Sequence, residues 1–419
     1  MIRVPFSNTQ SVLARFAADN RGNVAMLFAF CVIPVIMVTG AAMDFSRALA
    51  EKERLQSVVD STALALAKEP KSASLATLQA KAESYFRGSF QSAALATSPV
   101  ITVTKGASTV RVEAAAAIPT VMMSIAGVDS MNLHASSDVR NEHKKIEIAL
   151  ILDNTGSMAD AGKMAALKTA VNDLIIRLQG KIVDADDVKM SIVPFNTEVK
   201  VNSNSFNANW LRWDVTLENP NYNWSTRQPP SSLAWQGCIA DRDQPYDISS
   251  EAPQDHFRRY VASQCHYAGL TEMLPLSANL EAVRARANEM TPTGNTNVTI
   301  GLAMGLATLR TDSPFGAASS NDPNVQKFVI LLTDGDNTQN RWTNNVSQID
   351  NRLSAACTQA KTANSGIKIF TVRVIAGNAA LLKSCATNPS MYYDVQNAGE
   401  LQSAFKKILE TIDGIRIVS

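Results

Sequence analysis

Residues 146–158 read IEIALILDNTGSM, and residues 328–337 read FVILLTDGDN. Each stretch starts as a short apolar run, broken in the first only by Glu147, and ends in a polar loop. An apolar run of that length is the mark of a strand buried on both faces. Outward from these two, helices and strands alternate. Residues 164–178 have the spacing of an amphipathic helix, and 188–195 (VKMSIVPF) read as another strand. Residues 280–290, 298–309 and 346–363 are helical in pattern. Residues 367–375 (IKIFTVRVI) form a strand and 401–412 a closing helix. This alternation predicts an α/β fold, a doubly wound and mostly parallel sheet over 145–415. Residues 200–275 interrupt it. That stretch holds Trp210, Trp213, Trp224 and Trp235, several prolines, Cys238 and Cys265. A loop so long is functional or disordered, and its aromatics and cysteines argue for an ordered, disulfide-stapled insertion on the rim of the sheet. The tryptophans are expected to form a small core of their own.

The polar loops carry the chemistry. Ligands of an open α/β sheet collect beyond the carboxyl ends of its strands. Residues 152–158 (LDNTGSM) have a D-x-T-x-S spacing. In an extended loop alternate residues face one side, so Asp153, Thr155 and Ser157 can converge on one ion. Residues 293–297 (TGNTN), just before a helix, add Thr296, and residues 332–337 (LTDGDN) add Asp334. Carboxylates and hydroxyls are hard donors that suit Mg²⁺, Mn²⁺ or Ca²⁺ rather than zinc. Asp336 and Asn337 are expected to be turn residues, and Asp160 and Asp173 to be solvated.

These five residues resemble the metal-ion-dependent adhesion site (MIDAS) of von Willebrand factor A domains. The usual pattern there is D-x-S-x-S, then a distant Thr, then a distant Asp after an apolar strand. Thr155 replaces the first Ser and keeps its hydroxyl. The resemblance covers roughly 145–415, with 200–275 outside the common core. It implies a von Willebrand A-like, Rossmann-type fold. It also implies an ion held by Asp153, Thr155, Ser157, Thr296 and Asp334, with a carboxylate from a protein partner completing the coordination.

The N-terminal part has another character. Residues 22–43 (GNVAMLFAFCVIPVIMVTGAAM) hold no charge, enough for one bilayer crossing. A signal peptide would have a shorter apolar core and a small-x-small cleavage site, which Ala41-Ala42-Met43 matches poorly. Residues 1–21 are read as a cytoplasmic N-terminus. Basic residues flank the span equally (Arg3, Arg15 and Arg21 before it, Arg47, Lys52 and Arg54 after it), so charge does not orient it. Cysteines do. Cys238, Cys265, Cys357 and Cys385 form two sequence-local pairs, which suits disulfides in an oxidising compartment. The bulk of the chain is therefore expected in the periplasm or at the cell exterior. Past the span, helical spacing continues to a break near Pro70, and 75–90 is a second helical piece. Residues 99–123 alternate as a β-hairpin turning at 105–108, and 131–139 read as a third strand. Residues 44–140 thus form a small α+β module. The segment from RFAADNRGNVAMLFAF through GAAMDFSRALAEKERLQSVVDSTALALA resembles the N-terminal region of TadG-like proteins of tight-adherence (Flp) pilus loci. Gly22, Asp44 and the Leu55-Gln56…Asp60…Ala63-Leu64-Ala65 run carry that likeness. It departs from type IV prepilins, for Leu27 stands where they usually have Glu. Such proteins often carry a C-terminal A domain, and the likeness implies other pilus-assembly components as partners.

Composition narrows the function further. With 39 Lys+Arg against 38 Asp+Glu among 419 residues, the net charge of +1 gives no basis for nucleic-acid binding. An apolar share of 46% excludes wholesale disorder. The four His (His134, His143, His256, His266) show no HExxH or His-x-His spacing, against a His-based zinc hydrolase. The expected function is metal-dependent adhesion or protein binding at the bacterial cytoplasmic membrane, without catalysis. A metal-dependent phosphoryl hydrolase is the alternative, with Asp153 as nucleophile. Its usual acid two residues on is replaced by Thr155, and neither a G-x-S-x-G elbow nor a P-loop is present. A structural envelope protein with an empty ion site is the third reading.

Overall fold

The computed structural model describes residues 23–92, 94–95, 98–106, 109–140, 145–215, 234–316, 319–363 and 366–418. The stretch before the apolar span, Trp224, His143 and residues 107–108 of the hairpin turn lie outside them. The chain divides into two compact units, residues 1–142 and 143–419.

In the first unit, helix α1 (Asn23–Leu66) runs unbroken through Pro34. Its character changes along its length. Side chains of residues 26–30 and 33–39 are exposed, and a buried stripe then begins at Gly40 and continues through Asp44, Ala48, Leu55, Val59, Ala63 and Leu66. That three-to-four-residue rhythm marks one helix face turned to a core. Helix α2 (Leu75–Ser89) follows, its first turn capped by Ser74 Oγ accepting from the Thr77 amide at 3.1 Å. Strands β1 (Val100–Lys105), β2 (Thr109–Pro119) and β3 (Ser130–Arg140) form one antiparallel sheet in that order. Along β2 the alternation of Val110, Val112, Ala114, Ala116 and Ile118 faces the core shared with the stripe of α1 and with α2.

The second unit is built on β4 (Lys145–Asp153), α3 (Lys163–Gln179) and β5 (Val188–Phe195). Four short strands follow: β6 (Val199–Lys200), β7 (Leu211–Arg212), β8 (Cys238–Ala240) and β9 (Tyr260–Ser263). Then come β10 (Leu274–Ser277), α4 (Leu280–Glu289), α5 (Val298–Thr308), β11 (Val325–Thr333), α6 (Val346–Ala363), β12 (Ile367–Val374), α7 (Ala379–Cys385), β13 (Tyr392–Val395) and α8 (Leu401–Val418). The sheet order is β13-β12-β11-β4-β5-β6-β8-β9-β7, with β10 antiparallel along β5. From β13 to β5 every neighbour is parallel. The two apolar runs that opened the sequence are the adjacent central strands, β4 and β11. In β4, Ile146, Ile148, Leu150 and Leu152 enter one core with α3, α4 and α8, while Ala149 and Ile151 enter the other with α5, α6 and α7. The fold is therefore doubly wound, and its carboxyl edge presents the polar loops. Helix α5 is buried on every side. Gly305 lets it lie against the sheet, since a Cβ there would come 2.2 Å from Ile151.

The insertion extends the sheet past β5 with strands of two to four residues. Its three described tryptophans do not form a core of their own. Trp235 is buried in the second-face core and Trp210 and Trp213 pack against it, Trp210 with its ring centroid 5.1 Å from that of Phe315. The reason is geometric: the added strands continue the sheet, so their inner face continues its core. Cys238–Cys265 and Cys357–Cys385 are disulfides, the first within the insertion and the second joining α6 to α7. They close loops of 27 and 28 residues, for which chain entropy gives about 3–4 kcal/mol each.

Candidate metal centre

Three loops meet at the carboxyl edge of the sheet, and backbone bonds lace them together. Gly156 N donates to Gly294 O at 2.9 Å and Thr293 N to Asn154 O at 2.7 Å. The amides of Thr338 and Gln339 both donate to Thr296 O, at 2.9 and 3.3 Å. The side chains so positioned form a chain of oxygens. Asp153, at the end of β4, accepts from the Thr155 amide on Oδ1 at 2.8 Å and from Thr333 Oγ1 on Oδ2 at 2.7 Å. Thr155 Oγ1 lies 3.0 Å from Ser157 Oγ, and Ser157 Oγ donates to Asp334 Oδ1 at 2.6 Å. Four of the five expected ligands are thus linked. Thr296 faces the same point, since a Cβ built on Gly335 would lie 3.6 Å from Ser157 Oγ and 3.9 Å from Thr296 Oγ1. The small Gly335 leaves that point open.

The cluster brings two carboxylates together out of water. Asp153, Thr155 and Asp334 are essentially buried. Burial, and after it the charge of Asp334, pushes the Asp153 carboxyl up to about 6. Two carboxylates facing each other out of water need a positive charge between or beside them. A side chain that the sequence reading passed over supplies one. Lys163 Nζ sits 2.7 Å from Asp334 Oδ2 and 3.2 Å from Ser157 O, and the residue is only 7% exposed. Its position was the available signal: it opens helix α3, where the helix dipole disfavours a cation. Thr333 was also missed, being one residue ahead of the expected ligand.

Two of the side residues need correcting or placing. Asp336 is exposed, as a turn residue would be. Asn337 is a clamp instead. It is buried, with Oδ1 accepting from the Val298 amide at 2.8 Å and Nδ2 donating to Asp350 at 2.8 Å. It therefore ties the Asp334 loop to the start of α5. The insertion braces the same loops. Asp241 accepts from Asn297 Nδ2 at 2.9 and 3.0 Å and from the Arg341 amide at 3.2 Å. Burial, then the charge of Asp247, pushes Asp241 up to about 7. Glu198 is fully buried and accepts from the His266 amide at 2.8 Å and from Ser263 Oγ. Burial raises its carboxyl to about 8, against the bond from His266 and aided by the charge of Asp241.

Fold and site together define a von Willebrand factor type A module. Residues 265–407 match the family model of the von Willebrand factor type A domain. Thr296 and Asp334 fall within the match, while Asp153, Thr155 and Ser157 lie before it, on the far side of the insertion. Residues 22–68 match the family model described as Flp pilus-assembly TadE/G-like. The chain thus carries a TadE/G-like N-terminal segment and a C-terminal A domain. No curated protein sequence matches significantly. Among solved structures, the chain is similar to the pilus adhesin SpaC of Lactobacillus rhamnosus GG, at 14% identity, 75% of this chain, 34% of that one and a TM-score of 0.40. It is similar to the vWF domain of the type V pili tip protein Mfa5 of Porphyromonas gingivalis, at 12%, 66%, 98% and 0.39. It is also similar to proximal thread matrix protein 1 of the mussel byssus with a zinc-occupied MIDAS motif, at 14%, 65%, 48% and 0.35. The match spans less than half the length of the byssus and SpaC chains.

Proposed function

We propose that this protein is a membrane-anchored, metal-dependent protein-binding module of the bacterial envelope that works in Flp pilus assembly or adherence. The observation that carries the reading is the convergence of Asp153, Thr155, Ser157 and Asp334 through contacts of 2.6–3.0 Å, with Thr296 facing the same opening. The donor set fits a hard divalent cation such as Mg²⁺, or Mn²⁺ or Ca²⁺ in its place. All five donors are oxygens, and the opening at Gly335 is unblocked. When bound, the ion offers a docking point for an acidic side chain of a protein partner. The chain's own residues do the rest. Thr155 N and Thr333 Oγ1 fix the orientation of the Asp153 carboxylate, and Asn337 and Asp241 hold the loops that carry Asp334 and Thr296 in place. An enzymatic role is not supported. Thr155 stands where a phosphatase would have its acid.

Helix α1 is long and apolar enough to cross a membrane. In this reading residues 22–43 cross the cytoplasmic membrane once, with residues 1–21 inside and the rest outside, where disulfides form. Pull-down of the full chain from envelope membranes, with and without chelator, tests the function. Partners should be lost with chelator and regained with Mg²⁺. Partners retained in chelator would contradict a metal-dependent contact.

Lys163 gives a second test. Its ammonium competes for Asp334, so Lys163→Met should tighten Mg²⁺ binding about tenfold in calorimetry, equal to about 1.4 kcal/mol. Weaker binding in the variant would mean that Lys163 positions Asp334 for the ion instead.

A further inference from the structure

The first unit carries a compact apolar loop at the point where α1 would leave the membrane. No residue from Ala114 to Val128 is charged. Between β2 and β3, the segment TVMMSIAGV (120–128) folds back on itself beside α1. Asp44 anchors it, its carboxylate accepting from the amides of Val121, Met122 and Met123 at 2.8–3.1 Å. Met122 seats against Gly40, where a Cβ would come 2.6 Å from its side chain. The amides of Ile125, Gly127 and Val128 donate to carbonyls within the loop, and Thr120 Oγ1 closes it onto Val128 O. Gly127, at φ +86°, makes the turn. Backbone polarity is thus largely spent internally, while the side chains point outward. Ile125 is 76% exposed and Val121 55%, with Met122 and Val128 each 41%.

We propose that residues 121–128 are a lipid-embedded wedge that enters the outer leaflet beside the membrane-spanning helix. The inference rests on the membrane-spanning reading of α1. Three features point to lipid as the occupant. The exposed apolar loop is continuous with the exposed apolar surface of α1, so the two form one patch. Its depth fits: Gly40 lies four residues, about 6 Å, to the membrane side of Asp44, so Met122 sits at the level of the hydrocarbon boundary. Most of its backbone amides are bonded without water, which lowers the cost of carrying non-helical chain into a bilayer. Asp44 then has a defined task. Its buried carboxylate ends the span and holds the wedge at a fixed height and rotation, so the module leaves the membrane in one orientation instead of swivelling about a single helix.

The test places an environment-sensitive fluorophore on single cysteines in the full chain, with Cys31→Ser and the disulfides intact, in phospholipid vesicles. The sites are Ile125→Cys on the wedge, Val35→Cys in the span and Thr104→Cys at the far end of the sheet. The proposal expects Ile125 to behave like Val35, quenched several-fold more by spin-labelled lipid than by aqueous iodide, with Thr104 showing the reverse. Iodide access at Ile125 with lipid access at Val35 would overturn the wedge and leave the span standing. Iodide access at Val35 would overturn the span and the wedge with it. Protection of Ile125 from both quenchers would overturn the proposal in favour of a covering protein surface.

Discussion

Asp153→Asn should abolish divalent-ion binding while the protein stays folded. Asn is nearly isosteric, and its carbonyl can still accept from the Thr155 amide. The charge that opposes Asp334 disappears, at the cost of the bond from the Asp334 amide to Oδ2, so the ion-free variant should stay close to the parent in stability. The difference lies in the response to metal. A ligand that binds only the folded state at a hundred times its Kd stabilises by about 2.7 kcal/mol. The parent should show that gain in thermal unfolding with excess Mg²⁺, and the variant none. Asp336→Ala, at an exposed position beyond the cluster, should retain the full gain. A gain in Asp153→Asn equal to the parent's would mean that the ion sits elsewhere.

Glu198→Gln should make the protein more stable at alkaline pH. Burial raises this carboxyl from 4.5 to about 8. Between those values the folded chain holds a proton that the unfolded chain has released. Stability therefore falls as pH rises through that window, and the loss is complete once Glu198 ionises in the folded state. Gln mimics the protonated acid and removes the slope. The gap between variant and parent should grow from near zero below pH 4.5 to an upper limit on the order of 5 kcal/mol above pH 8. Denaturant unfolding of both proteins in chelator over this range reads it, and parallel curves would show that Glu198 does not carry the pH dependence.

How much of this was legible in the sequence followed from how far each feature depends on its neighbours. The central strands stood out because burial on both faces makes most of their length apolar, Glu147 in β4 and Gln326 and Lys327 in β11 aside. The meeting of the D-x-T-x-S loop with Thr296 and Asp334 was readable because loops at the carboxyl edge of a parallel sheet gather together. The three-stranded sheet of the first unit followed from strict alternation in β2. Strands β6 to β9 were not readable, for two to four residues carry no periodicity and their pairing depends on partners far along the chain. The same holds for β13. Lys163 and Asn337 were missed because their roles exist only once Asp334 and Val298 are brought beside them, across 171 and 39 residues. The tryptophans were assigned to a separate core because nothing local shows that the insertion continues the sheet.

The central claim is that these five residues hold one divalent cation. Calorimetric titration of the chelator-stripped full chain with Mg²⁺ and Mn²⁺ tests it most directly, with Asp153→Ala and Asp334→Ala alongside. The account predicts one ion per chain for the parent and a loss of affinity of about two orders of magnitude or more in each variant, equal to about 2.8 kcal/mol. A parent that takes up no divalent ion, or variants that bind it as tightly as the parent, would contradict it.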